Sequence, residues 1–110
     1  MKIKMTVATA KVLRLFVEDP TAQRYGWEIM QATALGSGSL YPILARLERE
    51  GVIAGTQEDI DPKVEGRPAR RFYTITGEGL RVARQALAEL HEITRLPGAG
   101  RQPGLSPQGG

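Results

Sequence analysis

Three arginines in the stretch GRPARR (Arg67, Arg70, Arg71) and the run GSGSLYPILARLEREG at 36–51 hold the residue types with the clearest chemistry in this chain. Arginine is permanently charged and offers a planar fork of donors, so a cluster of them suits recognition of a polyanion. The alternative is a solvated strand edge guarded against aggregation. In the second run, Leu40, Ile43, Leu44 and Leu47 share one helical face by their i, i+3, i+4, i+7 spacing. The opposite face carries Gly38, Ser39, Pro42, Ala45, Arg46 and Arg49, small at its start and basic further along, with Tyr41 on the flank. Pro42 is the anomaly, because a helix from Ser37 would use its amide to bond the Gly38 carbonyl. Such a loss suits an outward face that must fit closely against something anionic.

Catalytic constellations are missing. His91, with Glu89 and Glu92 nearby, is the sole histidine, and with no cysteine in the chain it makes a poor metal site and a poorer triad. GSG at 36–38 lacks the lysine of a phosphate-binding loop and the strand-helix-strand setting of a dinucleotide site. No catalytic residue, cofactor or metal is therefore expected, and an enzyme is the least supported reading.

The elements that must position these residues follow from periodicity and punctuation. TVATAKVLRLFVE at 6–18 reads as a first helix with Val7, Ala10, Leu13 and Val17 in a stripe widened by Val12 and Phe16. Asp19-Pro20 stops it, and Thr21 is expected to cap a second helix over 22–33, with Tyr25, Ile29 and Ala32 on one side and Gly26 allowing close approach. Trp27, on that helix, is expected in the core or at a dimer interface. The third helix starts at Gly36 or Ser37 and ends before Gly51. Beyond it the period changes to two, and VIAGTQE and ARRFYTI read as a hairpin around the long tip DIDPKVEGRP, with Tyr73 and Ile75 facing the core. Thr76 caps a last helix over 77–96, in which Gly79 is expected to pack closely on the hairpin. The Gly/Pro-rich tail at 97–110 reads as disordered.

Three helices, a hairpin and a fourth helix make a mainly α fold with a small β-hairpin: a winged helix-turn-helix over 6–76, preceded by a basic arm at 1–5 with Lys2 and Lys4. In that architecture the third helix enters the major groove by its N-terminal part, which accounts for Pro42 on an outward position. Along the last helix Leu80, Ala83, Leu87 and Leu90 form a seam broadened by Ala86, Ile93 and Leu96. The core can cover only its beginning, so a homodimer is expected to bury Leu87, Leu90, Ile93 and Leu96.

Total charge decides less than placement. The 110-residue chain is one domain of net charge +3, yet residues 36–79 hold six Lys/Arg against seven acids. This slightly acidic segment keeps open a winged helix that binds another protein instead of DNA. No stretch reads as a signal peptide or membrane span, and the lack of cysteine is compatible with a reducing cytoplasm.

Three blocks, YGWEI at 25–29, GSLYPILARLEREGVI at 38–53 and GRPARRFYTITGEG at 66–79, resemble the PadR-type transcriptional regulators, over a span from about Val12 to Arg84. The resemblance implies a bacterial repressor that dimerises through its C-terminal helix and binds an inverted-repeat operator. It gives Ser39 and Tyr41 to phosphate and groove contacts, Pro42 to the recognition helix, and Gly66, Arg67 and Pro68 to the wing. Ser37, Arg46, Arg70, Arg71, Lys2 and Lys4 complete the expected DNA surface. Members of that family often respond to phenolic or other hydrophobic compounds, and a small hydrophobic effector is left open because the last helix has no aromatic residue to line a pocket. The family's usual serine and proline before Gly38 are replaced by Gly36 and Ser37, and the wing tip EDIDPKVE is acidic.

Overall fold

The structure, a computed structural model, describes residues 2–96; the tail expected at 97–110 lies outside the described residues. Helix α1 (Val7–Glu18) is capped by Thr6, whose hydroxyl oxygen accepts from the Thr9 amide at 3.0 Å. Its buried face is Thr9, Ala10, Val12, Leu13 and Phe16. Val7, expected in that stripe, is 75% exposed, because the covered part begins only at Thr9.

The second helix starts later than its periodicity suggests. Arg24–Tyr25 form a short strand β1, and α2 runs over Gly26–Thr33. Strand β1 pairs antiparallel with β3 (Arg71–Ile75), in the register Arg24 to Tyr73 and Tyr25 to Phe72. The edge of β3 would otherwise hold unpaired backbone groups, and satisfying them outweighs four more residues of helix. Thr21 consequently caps nothing: its hydroxyl donates to Asp19 Oδ1 at 3.1 Å. The Glu28 carboxylate instead takes the Tyr25 amide at 2.9 Å and closes the true start of α2. On the shortened helix Ile29 and Thr33 are buried one turn apart, and Ala32, expected with them, is exposed.

The turn into α3 (Ser37–Arg49) uses Ala34 at φ 60°, a left-handed conformation that costs about 1 kcal/mol away from glycine. Gly36 is the N-cap and supplies its carbonyl to the amides of Ser39 and Leu40. Leu40, Ile43, Leu44 and Leu47 are buried, as their spacing predicts. Gly51, at φ 79°, ends the helix and turns the chain into β2 (Ile53–Gln57).

Strands β2 and β3 pair antiparallel from Ile53 opposite Ile75 to Gln57 opposite Arg71, giving the sheet order β1-β3-β2. The hairpin is thus part of a three-stranded sheet, and Tyr73 and Ile75 face the core. At its tip a single turn, α4 (Pro62–Glu65), is capped by Asp61 and closed by Gly66 at φ 72°. Helix α5 (Gly77–Thr94) follows, with Thr76 accepting from the Gly79 amide at 2.9 Å and donating to the Gly51 carbonyl at 2.8 Å. Its Ala83 is buried, and Leu80 and Leu87 pack on a core built around Leu13, Phe16, Ile29, Leu44 and Leu47. Among the described residues no helix is long and apolar enough to cross a membrane.

Candidate nucleic-acid interface

Burying Leu40, Ile43, Leu44 and Leu47 turns the other side of α3 outward. Ser37, Gly38, Ser39, Pro42, Ala45 and Arg49 are exposed and Arg46 is half-buried. From Ser37 to Ala45 nothing on this face except Tyr41 is larger than a proline ring, so another molecule can approach the backbone. Pro42 sits there with the Gly38 carbonyl deprived of its helical donor. Tyr41 is 44% exposed and lies across the start of α2, where a Cβ on Gly26 would collide with its hydroxyl. Gly26 is therefore the close approach expected of it, made to a ring on α3.

The wing arginines divide into two paired and one unpaired. Arg67 is held by Glu58, with Nη1 donating to Oε1 at 2.7 Å and Nη2 to Oε2 at 3.3 Å. The Arg70 amide also donates to Oε1, at 2.8 Å, and the Tyr25 hydroxyl to Oε2, at 3.3 Å. The Arg67 side chain above all, with the Arg70 amide next, lowers the Glu58 pKa to about 2, so this carboxylate stays ionised at any physiological pH. Arg71 reaches back to α3, where Nη2 donates to Glu48 Oε2 at 2.5 Å, and its guanidinium lies 5.8 Å from the Tyr73 ring centre. It folds across Gly55, the position opposite Tyr73, where any Cβ would strike it. The Arg70 side chain is exposed, and among the described residues it has no carboxylate partner.

A cleft of about 230 Å³ gathers several of these groups, lined by Gly26, Trp27, Tyr41, Arg70, Arg71 and Tyr73. Trp27 is 50% exposed, which corrects its expected place in the core. The cause is helical spacing: with Ile29 and Thr33 facing inward, a residue two places before Ile29 is rotated by about 200° to the far side. Its neighbours in the cleft make it a member of the outward surface that sequence reasoning missed. The signal available was its two-residue offset from the inward Ile29.

Lys2 and Lys4 are exposed ahead of α1 while Ile3 and Met5 pack on the core, and among the described residues no hydrogen bond or ion pair ties the lysines to α3 or the wing. Along α5 the seam divides. Leu87 belongs to the protein's own core fringe, Leu90 is half-buried and Ile93 is 80% exposed, while Leu96, 72% exposed, lies outside the helix, which ends at Thr94 and not at the expected 96 because Arg95 is already extended. Beside it lies a groove of about 920 Å³ between α1, the end of α2 and α5, with Leu15, Val17, Ala32 and Leu87 among its walls. Among the described residues no group of three His, Cys, Asp or Glu side chains is placed to hold a metal ion.

An outward helix of small residues, a sheet hairpin beside it and a trailing amphipathic helix agree with the family comparison, in which residues 12–85 match the transcriptional regulator PadR-like family. The chain belongs to that family. Among solved structures, a PadR family transcriptional regulator from Eggerthella lenta is 25% identical, over 86% of this chain and 83% of that one, with a TM-score of 0.64. A PadR-like transcription factor from Bacteroides fragilis is 21% identical over 77% and 81% of the two chains, with a TM-score of 0.64. BpsR of Bordetella bronchiseptica, whose DNA binding is regulated by 6-hydroxynicotinic acid, shares the fold at 19% identity and a TM-score of 0.68, over 91% of this chain and 70% of that one. No curated protein matches this chain. The winged helix-turn-helix of a PadR-like regulator is thus the frame in which the exposed face of α3 and the wing are read.

Proposed function

We propose that this PadR-like regulator is a homodimeric, sequence-specific DNA-binding repressor that acts in the cytoplasm on an inverted-repeat operator. Helix α3 enters the major groove by its N-terminal half, with Ser37, Ser39, Tyr41 and Pro42 nearest the duplex and Arg46 further along. Arg70 meets a backbone phosphate, and Lys2 and Lys4 add charge from the arm. The observation that carries the reading is the exposed small-residue face of α3 standing beside Arg70, the wing arginine left without a carboxylate. Selection of bound duplexes from a random pool tests it: a recovered consensus with two-fold symmetry supports operator recognition, and recovery of no preferred sequence rejects it.

Arg70→Ala is expected to weaken specific and nonspecific duplexes alike and to lower the salt slope by about 0.9, the share of one phosphate contact. Binding titrations across a range of salt concentrations give both quantities, and an unchanged slope removes Arg70 from the DNA surface. Pro42→Ala restores a backbone donor and a better helix former, so thermal stability should rise by about 1–3 kcal/mol while operator affinity falls. Melting and binding curves on the same sample check the opposite signs. Loss of stability with intact binding would make the proline a structural kink.

We further infer that a small effector would occupy the groove between α1, α2 and α5, which is lined by Leu15, Val17 and Leu87 and also by Lys11, Arg14 and Glu18. A second reading, a winged helix that docks on another protein, is favoured by the acidic wing tip (Glu58, Asp59, Asp61, Glu65) and by the pairing of Arg67 and Arg71 with carboxylates. Duplex binding that is insensitive to salt, or absent, supports that reading over the first.

A further inference from the structure

One carboxylate closes the base of the wing. The chain leaves β2 at Glu58, runs through α4 and returns at Arg67 and Arg70, and Glu58 holds both returning residues. Its own amide donates to the Arg70 carbonyl at 2.7 Å, and its Oε1 accepts the Arg70 amide at 2.8 Å, so residue 70 is gripped by both of its backbone polar groups. Arg67 docks both Nη atoms on the same carboxylate, at 2.7 and 3.3 Å, and Tyr25, from β1, adds its hydroxyl at 3.3 Å. A carboxylate has about four acceptor sites, and here four donors occupy them. The Glu58 side chain is only 13% exposed, although it sits at the start of an otherwise exposed tip. The grip ends at the residue whose guanidinium carries no carboxylate of its own.

We propose that Glu58 is a positioning residue for DNA binding: it fixes the backbone of Arg70, and with it the place of the Arg70 guanidinium, while Arg67 serves as its counter-charge instead of as a phosphate ligand. This rests on the DNA-binding reading above. Its consequence runs against simple electrostatics. An acid near a polyanion weakens binding by repulsion, so removing its charge should tighten every duplex. A positioning acid does the reverse, because an Arg70 that must be ordered during binding loses the benefit of being held in place beforehand.

Glu58→Gln keeps the shape but places an NH₂ group against an N–H donor at one end of the site. In the full chain, well below the melting temperature, affinity for the selected operator duplex should fall about tenfold, the size of one charge-assisted hydrogen bond. Hydrogen exchange at the Arg70 amide should accelerate while the Leu13 and Leu44 amides stay protected. If affinity rises or holds, or falls with unchanged exchange at Arg70, the proposal is overturned. A variant that unfolds is replaced by Tyr25→Phe, which removes one hydrogen bond and leaves the ring on Phe72. There a loss of about two- to threefold with faster exchange at Arg70 is expected, and unchanged binding and exchange overturn the proposal. Failure of the DNA reading itself is seen earlier and separately, in unmodified protein that retains no duplex from the random pool.

Discussion

Gly79→Ala is expected to lower stability by about 2 kcal/mol, although alanine is the better helix former by about 1 kcal/mol. Gly79 is the third residue of α5, and a Cβ there would run into the carbonyl oxygen of Val52. That oxygen cannot step aside cheaply. It accepts the Thr76 amide at 3.0 Å and faces the Thr76 hydroxyl at 3.2 Å, the residue that caps α5, and Val52 itself is buried. The added methyl must therefore push apart the start of β2 and the first turn of α5. For a domain of this size the loss corresponds to a fall in melting temperature of about 8–16 °C. Gly38→Ala is the control, since nothing lies within 4 Å of a Cβ at that helical position and the same substitution should stabilise by up to about 1 kcal/mol. Thermal unfolding followed by circular dichroism distinguishes the two. Equal effects at both positions would mean that backbone freedom, not the Val52 carbonyl, sets the cost.

The contrast between these glycines marks how far the sequence could be read. Close packing at Gly79 is legible because a glycine in the first turn of a capped helix is locally unfavourable and asks for a compensating contact. The buried face of α3, the cap Thr76, the stop at Gly51 and the inward Tyr73 and Ile75 are all set by spacing within one element. What escapes depends on distant partners. Strand β1 is two residues long and exists because β3 has an edge to fill, and nothing in Arg24-Tyr25 states this. Trp27, by contrast, was legible, since a position two places before Ile29 lies about 200° round the helix wherever that helix starts.

The wing is the sharper case. GRPARR displays three equal charges in sequence, but hairpin register brings Glu58, nine residues before Arg67, against one of them, and α3 brings Glu48, twenty-three before Arg71, against another. Only the folded chain sorts the cluster into two internal ties and one outward cation. An arginine cluster in a sequence therefore counts candidates for phosphate contact, and the acids delivered by the fold decide how many are available.

The other large effect concerns assembly. Leu90→Asp combined with Ile93→Asp is expected to leave the fold nearly intact and to convert a dimer into a monomer. Helix α5 spends its first half on the protein's own core through Leu80, Ala83 and Leu87. Its last turns do not: Ile93 is 80% exposed, and Leu96, just past the end of the helix, is 72% exposed, with nothing in the described chain covering either. Burying one such side chain contributes about 1.5–3 kcal/mol, and a two-fold interface counts each substitution twice. With Leu90 already half-buried, the four lost apolar contacts amount to at least about 4.5 kcal/mol before any cost of burying aspartates, so the dissociation constant should rise by about a thousandfold or more. Within the monomer the same aspartates replace a largely exposed isoleucine and a half-buried leucine, so the melting temperature should move far less than the association does. Operator affinity should fall with dimerisation, because two linked recognition helices engage two half-sites at a high effective concentration and one helix cannot. Sedimentation at micromolar concentration reads the assembly, and titration against the selected duplex reads the linkage. An unmodified protein that sediments as a monomer overturns the dimer before the variant is made, and a monomeric variant with undiminished operator affinity separates dimerisation from recognition.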